Sequence, residues 1–312
     1  SHPRTVANYT DVFSTVMCKL GQRDERVVAI TAAMPDGTGL KRFRNMYPDR
    51  FFDVGIAEEH AVTFAAGLAA GGMKPIVAVY SSFLQRAYDQ ILHDVCMQNL
   101  HVIFAIDRSG LVGADGETHQ GIFDTAFLSH IPNLVIMAPK NRYELTRAME
   151  WAVAYDGPIA IKYARGQAYY GLKDYNEPVE YGKSEILREG SEIALVAVGN
   201  MVEETEKLYN RFLQEGRQVT FVNARFIKPL DKEMIDHLAE THKLIVTIEE
   251  GILHGGYGAL VEEYLEPKAS DVKVLPIAIE DTFVRHGSIE ELRKMLKIDA
   301  ESIYRRIRDI ME

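Results

Sequence analysis

Pro75-Ile76-Val77-Ala78-Val79-Tyr80, a patterned stretch over Phe83–Gln98, then Val102-Ile103-Phe104-Ala105-Ile106-Asp107: this run decides the fold. The two flanking hexapeptides are apolar almost throughout instead of alternating. Such runs read as strands buried on both faces, as in a parallel sheet covered by helices. The segment between them is long enough for a helical crossover, which parallel neighbours need. Working outward, the alternation continues. Val27–Thr31, Leu134–Ala138 and Pro158–Tyr163 read as further strands, with helices near Thr10–Leu20, Glu58–Ala70 and Arg142–Tyr155. This predicts one α/β unit.

Gln167–Gly190 changes texture: polar residues, Gly and Pro, and no long periodic segment. It reads as a linker able to contribute a short edge strand. A second alternation follows, with strands at Ile193–Val198, Val219–Val222, Leu244–Ile248 and Val272–Ile277. Its helices are expected at Val202–Glu215, Lys232–Glu240, Tyr257–Leu265, Ile289–Leu296 and Ala300–Met311. The expected fold is therefore α/β with two domains, each a mostly parallel sheet with helices on both faces. Residues 1–8 read as a tag remnant or disordered lead, 9–170 as the first domain, 171–188 as linker and 189–312 as the second domain.

Composition narrows the function. Among 312 residues, 35 Lys+Arg against 45 Asp+Glu give a net charge of −10. That argues against nucleic acid or an anionic membrane as partner. No apolar run reaches the roughly 18–20 residues of a membrane span. Cys18 and Cys96 cannot build a disulfide framework, so a reducing, cytoplasmic setting is expected.

Ligands of open parallel sheets bind beyond the carboxyl ends of the strands. Those loops are chemically rich here. Tyr80 runs into Ser81–Arg86, Asp107 runs into Arg108–Gly121, and Phe51–Ile56 leads to Ala57-Glu58-Glu59-His60 at a helix start. Glu58 and Glu59 suit the positive end of a helix dipole, or one is a buried carboxylate sharing a proton with a ligand nitrogen. The helix that follows is small and apolar nearly all round, which predicts that it is enclosed by other elements or by another subunit. Asp115, Glu117 and His119 sit in a loop with four glycines; it reads as a solvated surface loop or a substrate-facing one. Asp115 and His119 alone, four apart in a loop, do not make a metal site. Phe83 and Arg86 fit a core aromatic and a snorkelling cation equally well. Arg165, just past a strand end, suits a phosphate if the substrate carries one. The turn His254–Gly258 matches neither phosphate-binding fingerprint and suits tight helix–strand packing better than anion binding.

Three blocks together resemble one family. Phe52–Gly67 (FDVGIAEEHAVTFAAG) is similar to the FDVAIAEQHAVTFAAG signature of 1-deoxy-D-xylulose-5-phosphate synthases. Tyr80–Gln90 (YSSFLQRAYDQ) resembles their YSTFLQRAYDQ block, and Gly113–Gly121 (GADGETHQG) their GADGxTHQG loop. The likeness runs from about Tyr9 to the C-terminus. It implies a thiamine diphosphate-binding fold followed by a transketolase C-terminal-like domain. It also implies a carboligase that joins pyruvate, with loss of CO2, to D-glyceraldehyde 3-phosphate in isoprenoid, thiamine and pyridoxal biosynthesis.

The resemblance assigns roles by position. Glu58 would hydrogen-bond the aminopyrimidine ring nitrogen of the cofactor and favour its imino tautomer. Phe83 would stack on that ring, with Arg86 beside it. Tyr80, Asp115 and His119 would lie near the reacting carbon, His119 as a catalytic residue, and Arg108 and Arg165 would hold the triose phosphate. Glu59 stands where the family has Gln; a second buried carboxylate there would raise the pKa of Glu58. The family's GDG…N motif, which binds Mg2+ and the diphosphate, belongs to an N-terminal domain and is not found in this sequence. The chain is thus expected to be a fragment or the second subunit of a split enzyme, inactive without that N-terminal partner, and a homodimer. Alternatives are the C-terminal subunit of a split transketolase, a 2-oxo-acid dehydrogenase β subunit, or a non-catalytic dimerisation module.

Overall fold

The structure, a computed structural model, describes residues 6–312; most of the expected tag remnant or lead at 1–8 lies outside the described residues. Six strands come from the first part of the chain: β1 Val27–Thr31, β2 Phe51–Asp53, β3 Lys74–Tyr80, β4 Ile103–Asp107, β5 Val135–Met137 and β6 Ile159–Lys162. Six follow: β7 Glu185–Arg188, β8 Glu192–Ala197, β9 Thr220–Asn223, β10 Phe226–Lys228, β11 His242–Ile252 and β12 Lys273–Ile279. They form a seven-stranded sheet ordered β10-β5-β6-β4-β3-β1-β2 and a five-stranded sheet ordered β12-β11-β8-β9-β7. All pairings are parallel except at two edges, β10 against β5 and β7 against β9. The architecture is two mostly parallel sheets with helices, as the apolar runs imply. The linker does contribute an edge strand, β7.

Three features differ from the sequence reading. Phe51–Asp53 is a short edge strand, too brief and too exposed to leave a pattern. The Phe83–Gln98 helix is an irregular helical run from Ser81 to Cys96, tightened at Gln85–Ala87 and widened at Ile91–Cys96. Such changes of pitch gather at functional sites. Finally, the helix Glu58–Ala70 is not enclosed all round: Ala61, Val62, Ala65 and Ala66 are buried, while Thr63, Gly67 and Ala70 face outward. Its residues are too small and uniform for the pattern to reveal an outer face.

The two sheets share an apolar core. Their seam also holds a buried ionic cluster. Lys140 Nζ lies 3.0 Å from Glu144 Oε2 and 2.7 Å from Glu185 Oε1, and Arg225 Nη2 lies 3.1 Å from Glu144 and 3.3 Å from Glu185. Asn223 donates to both carboxylates. Two cations face two anions with no net charge, the condition under which such a cluster is tolerable out of water.

Candidate active site

β6, β4 and β3 are neighbours, so their carboxyl ends present Arg165, Arg108 and Tyr80 along one edge of the sheet. Tyr80 and Phe83 stack with centroids 5.8 Å apart, and the His119 ring meets Phe83 edge-on at 5.3 Å. Arg86 lies over Phe83 at 5.6 Å and 3.7 Å from Glu58 Oε1. On the other side Arg108 covers Tyr80 at 4.0 Å. Asp115 Oδ2 receives Arg108 Nη1 at 2.9 Å and Arg165 Nε at 3.0 Å. The structure therefore joins Glu58, Arg86, Phe83, His119, Tyr80, Arg108, Asp115 and Arg165 in one continuous chain of contacts.

Glu58 is 3% exposed, at the first turn of its helix. Its nearest charged partner among the described residues, Arg86, is beyond hydrogen-bond range and half-exposed. Among the described residues no hydrogen-bond donor reaches the Glu58 carboxyl, so its acceptor capacity is unused. Glu59 is exposed, so the two glutamates do not share a buried site. Burial raises the pKa of Tyr80, which keeps its hydroxyl a neutral donor.

The loop Arg108–Gly121 is an anchored lariat. Gly110 and Gly121 exchange backbone hydrogen bonds at 2.7 and 2.8 Å, closing its neck. Gly121 has no room for a side chain: a Cβ would lie 2.2 Å from the Arg108 carbonyl. The second domain grips the same neck. Glu250 accepts from Leu111 N at 2.9 Å and from Arg293 Nε at 2.6 Å, and Gln120 donates to the Arg285 carbonyl. The Gly-rich turn after β11 is internal packing: Tyr257 N and Gly258 N donate to Glu249.

Sequence reasoning missed several supports. Gly37 follows β1, and a Cβ there would fall 1.5 Å from the Tyr80 hydroxyl, so glycine makes room for that ring. Its position after a strand end was the available signal. Asp107, the last residue of β4, is fully buried, accepting from Thr10 Oγ1 at 2.8 Å, and burial pushes its pKa to about 7. Below about pH 4 both folded and unfolded forms are protonated, and nothing is lost. Between about pH 4 and 7 the unfolded chain ionises first, so the folded state loses stability as pH rises, by on the order of 4 kcal/mol in all. Above about pH 7 the loss is constant. Asp107→Asn is expected to stabilise the chain at pH 8 relative to pH 4.5 in thermal unfolding; parallel pH profiles for parent and variant would exclude this.

These sheets, with aromatic and charged groups at the strand ends, define a two-sheet α/β protein with a candidate site beyond its strands. Residues 6–169 match the family described as "Transketolase, pyrimidine binding domain" and residues 182–303 "Transketolase, C-terminal domain". The chain belongs to the transketolase family. It is 54% identical over 301 residues to a 1-deoxy-D-xylulose-5-phosphate synthase of Lachnoclostridium phytofermentans, covering 96% of this chain and 48% of that protein. It is 51% identical over 308 residues to 1-deoxy-D-xylulose-5-phosphate synthase 1 of Geobacter metallireducens, covering 98% and 49%. The chain thus spans about half the length of these curated relatives. Among solved structures it is similar to a split-gene transketolase described as an inactive β4 tetramer (TM-score 0.88, 25% identity, 97% of each chain). Campylobacter jejuni transketolase shares the fold (TM-score 0.81, 18% identity, 99% of this chain and 48% of that one).

Proposed function

We propose that this chain supplies the pyrimidine-binding half of a 1-deoxy-D-xylulose-5-phosphate synthase, a transferase acting with thiamine diphosphate on pyruvate and D-glyceraldehyde 3-phosphate. The observation that carries this reading is Glu58: a buried carboxyl with no hydrogen-bond donor among the described residues, beside the Tyr80–Phe83–His119 aromatic group. The residues fit the pyrimidine end of the cofactor. Among the described residues no group of three or more His, Cys, Asp or Glu side chains could hold a metal ion. The Mg2+ and diphosphate contacts are assigned to a separate N-terminal domain or subunit, and no step is drawn through them.

When bound, thiamine diphosphate supplies the electron sink for the carbanion left by decarboxylation. Glu58 would hold a proton toward the pyrimidine ring nitrogen, and Phe83 would keep that ring flat and dry. Arg86 places a positive charge beside Glu58 without pairing tightly with it. Tyr80 and His119 offer hydrogen bonds to substrate oxygens. Arg108 and Arg165 share the single Asp115 carboxylate, leaving one net positive charge for the triose phosphate. The working enzyme is a homodimer, with outward-facing Thr63, Gly67 and Ala70 covered by a second copy. No helix of the described residues is long and apolar enough to cross a membrane.

The test is reconstitution. The chain is mixed with the N-terminal half of a close relative, Mg2+ and thiamine diphosphate, then assayed for 1-deoxy-D-xylulose 5-phosphate. Product that depends on pyruvate and on both halves is expected. Ketol transfer without pyruvate consumption would instead support the second reading, a split-transketolase component, which the full-length match to the split-gene structure favours.

A further inference from the structure

We propose that Asp124 is the positioning residue of this site, one buried carboxylate that fixes the ends of all three strands carrying Tyr80, Arg108 and Arg165. Asp124 is 1% exposed. Its Oδ2 accepts from Ser81 Oγ at 2.8 Å and Ser109 Oγ at 2.5 Å. Its Oδ1 accepts from Lys162 Nζ and from Thr125 N, each at 2.7 Å. Four donors use the acceptor sites of one carboxylate.

The placement of the donors is what matters. Ser81 directly follows Tyr80 at the end of β3, and Ser109 directly follows Arg108 beyond β4. Lys162 ends β6, three residues before Arg165, and is also held by Thr125 Oγ1 at 2.8 Å. Ser81 additionally reaches the Gly121 carbonyl at 3.4 Å, so the neck of the Arg108–Gly121 loop joins the same group. Backbone bonds already tie the β4 and β6 exits, Ser109 N donating to the Tyr163 carbonyl at 3.0 Å. Asp124 adds side-chain bonds that join both of these exits to that of β3. Charge-assisted hydrogen bonds to one anion suit this better than neutral ones, being shorter and stronger.

The inference rests on the proposed function for its catalytic consequence, but not for its structural one, and the experiment separates them. Backbone hydrogen exchange is followed in the chain alone for the segments 80–84 and 108–121, with helix Ala300–Met311 as internal reference. Asp124→Asn removes the charge from bonds of about 1.5–3 kcal/mol, so exchange in both segments is expected to quicken about 10–100-fold with the reference unchanged. If Asn leaves the part-buried Lys162 without its anion and the chain unfolded, Asp124→Asn with Lys162→Met removes both charges and gives the same reading. In the reconstituted enzyme KM for the triose phosphate rises at least as much as kcat falls. Unaltered exchange in the two segments overturns the positioning role; quickened exchange with unaltered substrate KM upholds it and counts against the proposed substrate instead.

Discussion

Glu58→Gln in the reconstituted enzyme is expected to lower turnover about 10²–10⁴-fold, the usual contribution of a positioned proton donor or acceptor. Gln keeps the length, planarity and burial of the side chain and loses its charge and the ability to move a proton. Since Arg86 is beyond hydrogen-bond range and half-exposed, little ion-pair energy is lost with the charge. Unfolding of the isolated chain should therefore be almost unaltered, which separates a chemical effect from a structural one. Cofactor affinity is expected to fall less than turnover, because stacking on Phe83 survives. Unchanged turnover in Glu58→Gln or Glu58→Ala would favour the scaffold reading, in which the chain serves dimerisation alone.

The largest effect on stability is expected at the seam. Arg225→Met leaves Glu144 and Glu185 facing only Lys140, one uncompensated negative charge among fully buried groups. Breaking such a buried pair costs about 3–5 kcal/mol, a large fraction of the stability of most domains. Adding Glu144→Gln rebalances the charges and should recover much of the loss, since a neutral buried set can match an ionic one. Urea unfolding of the three proteins distinguishes the cases. Equal destabilisation by the single and double variants would show that lost packing, and not stranded charge, is responsible.

Local pattern carried much of this fold. The apolar runs located nine of the twelve strands, and helices Glu58–Ala70, Tyr257–Leu265 and Ala300–Met311 have the bounds expected for them. The site residues were legible because they lie in three short continuous blocks at strand and helix ends. What holds them was not. Asp124 meets Ser81 from 43 residues away, Thr10 meets Asp107 from 97, and Glu250 meets Leu111 from 139. Such pairings follow from strand order and domain packing, which no local period encodes. The same holds for Phe226–Lys228, whose three residues join the first sheet from beyond the linker because an edge there was open. Asp124 lies outside those blocks, and only its burial among donors from three strand ends sets it apart.

The most direct test is a crystal structure of the chain assembled with an N-terminal half, Mg2+ and thiamine diphosphate. The expected result is a Glu58 carboxyl oxygen within about 3 Å of the pyrimidine ring nitrogen, with Phe83 against the ring face. A pyrimidine ring bound elsewhere, with Glu58 turned to solvent or locked in a short ion pair with Arg86, would contradict the assignment.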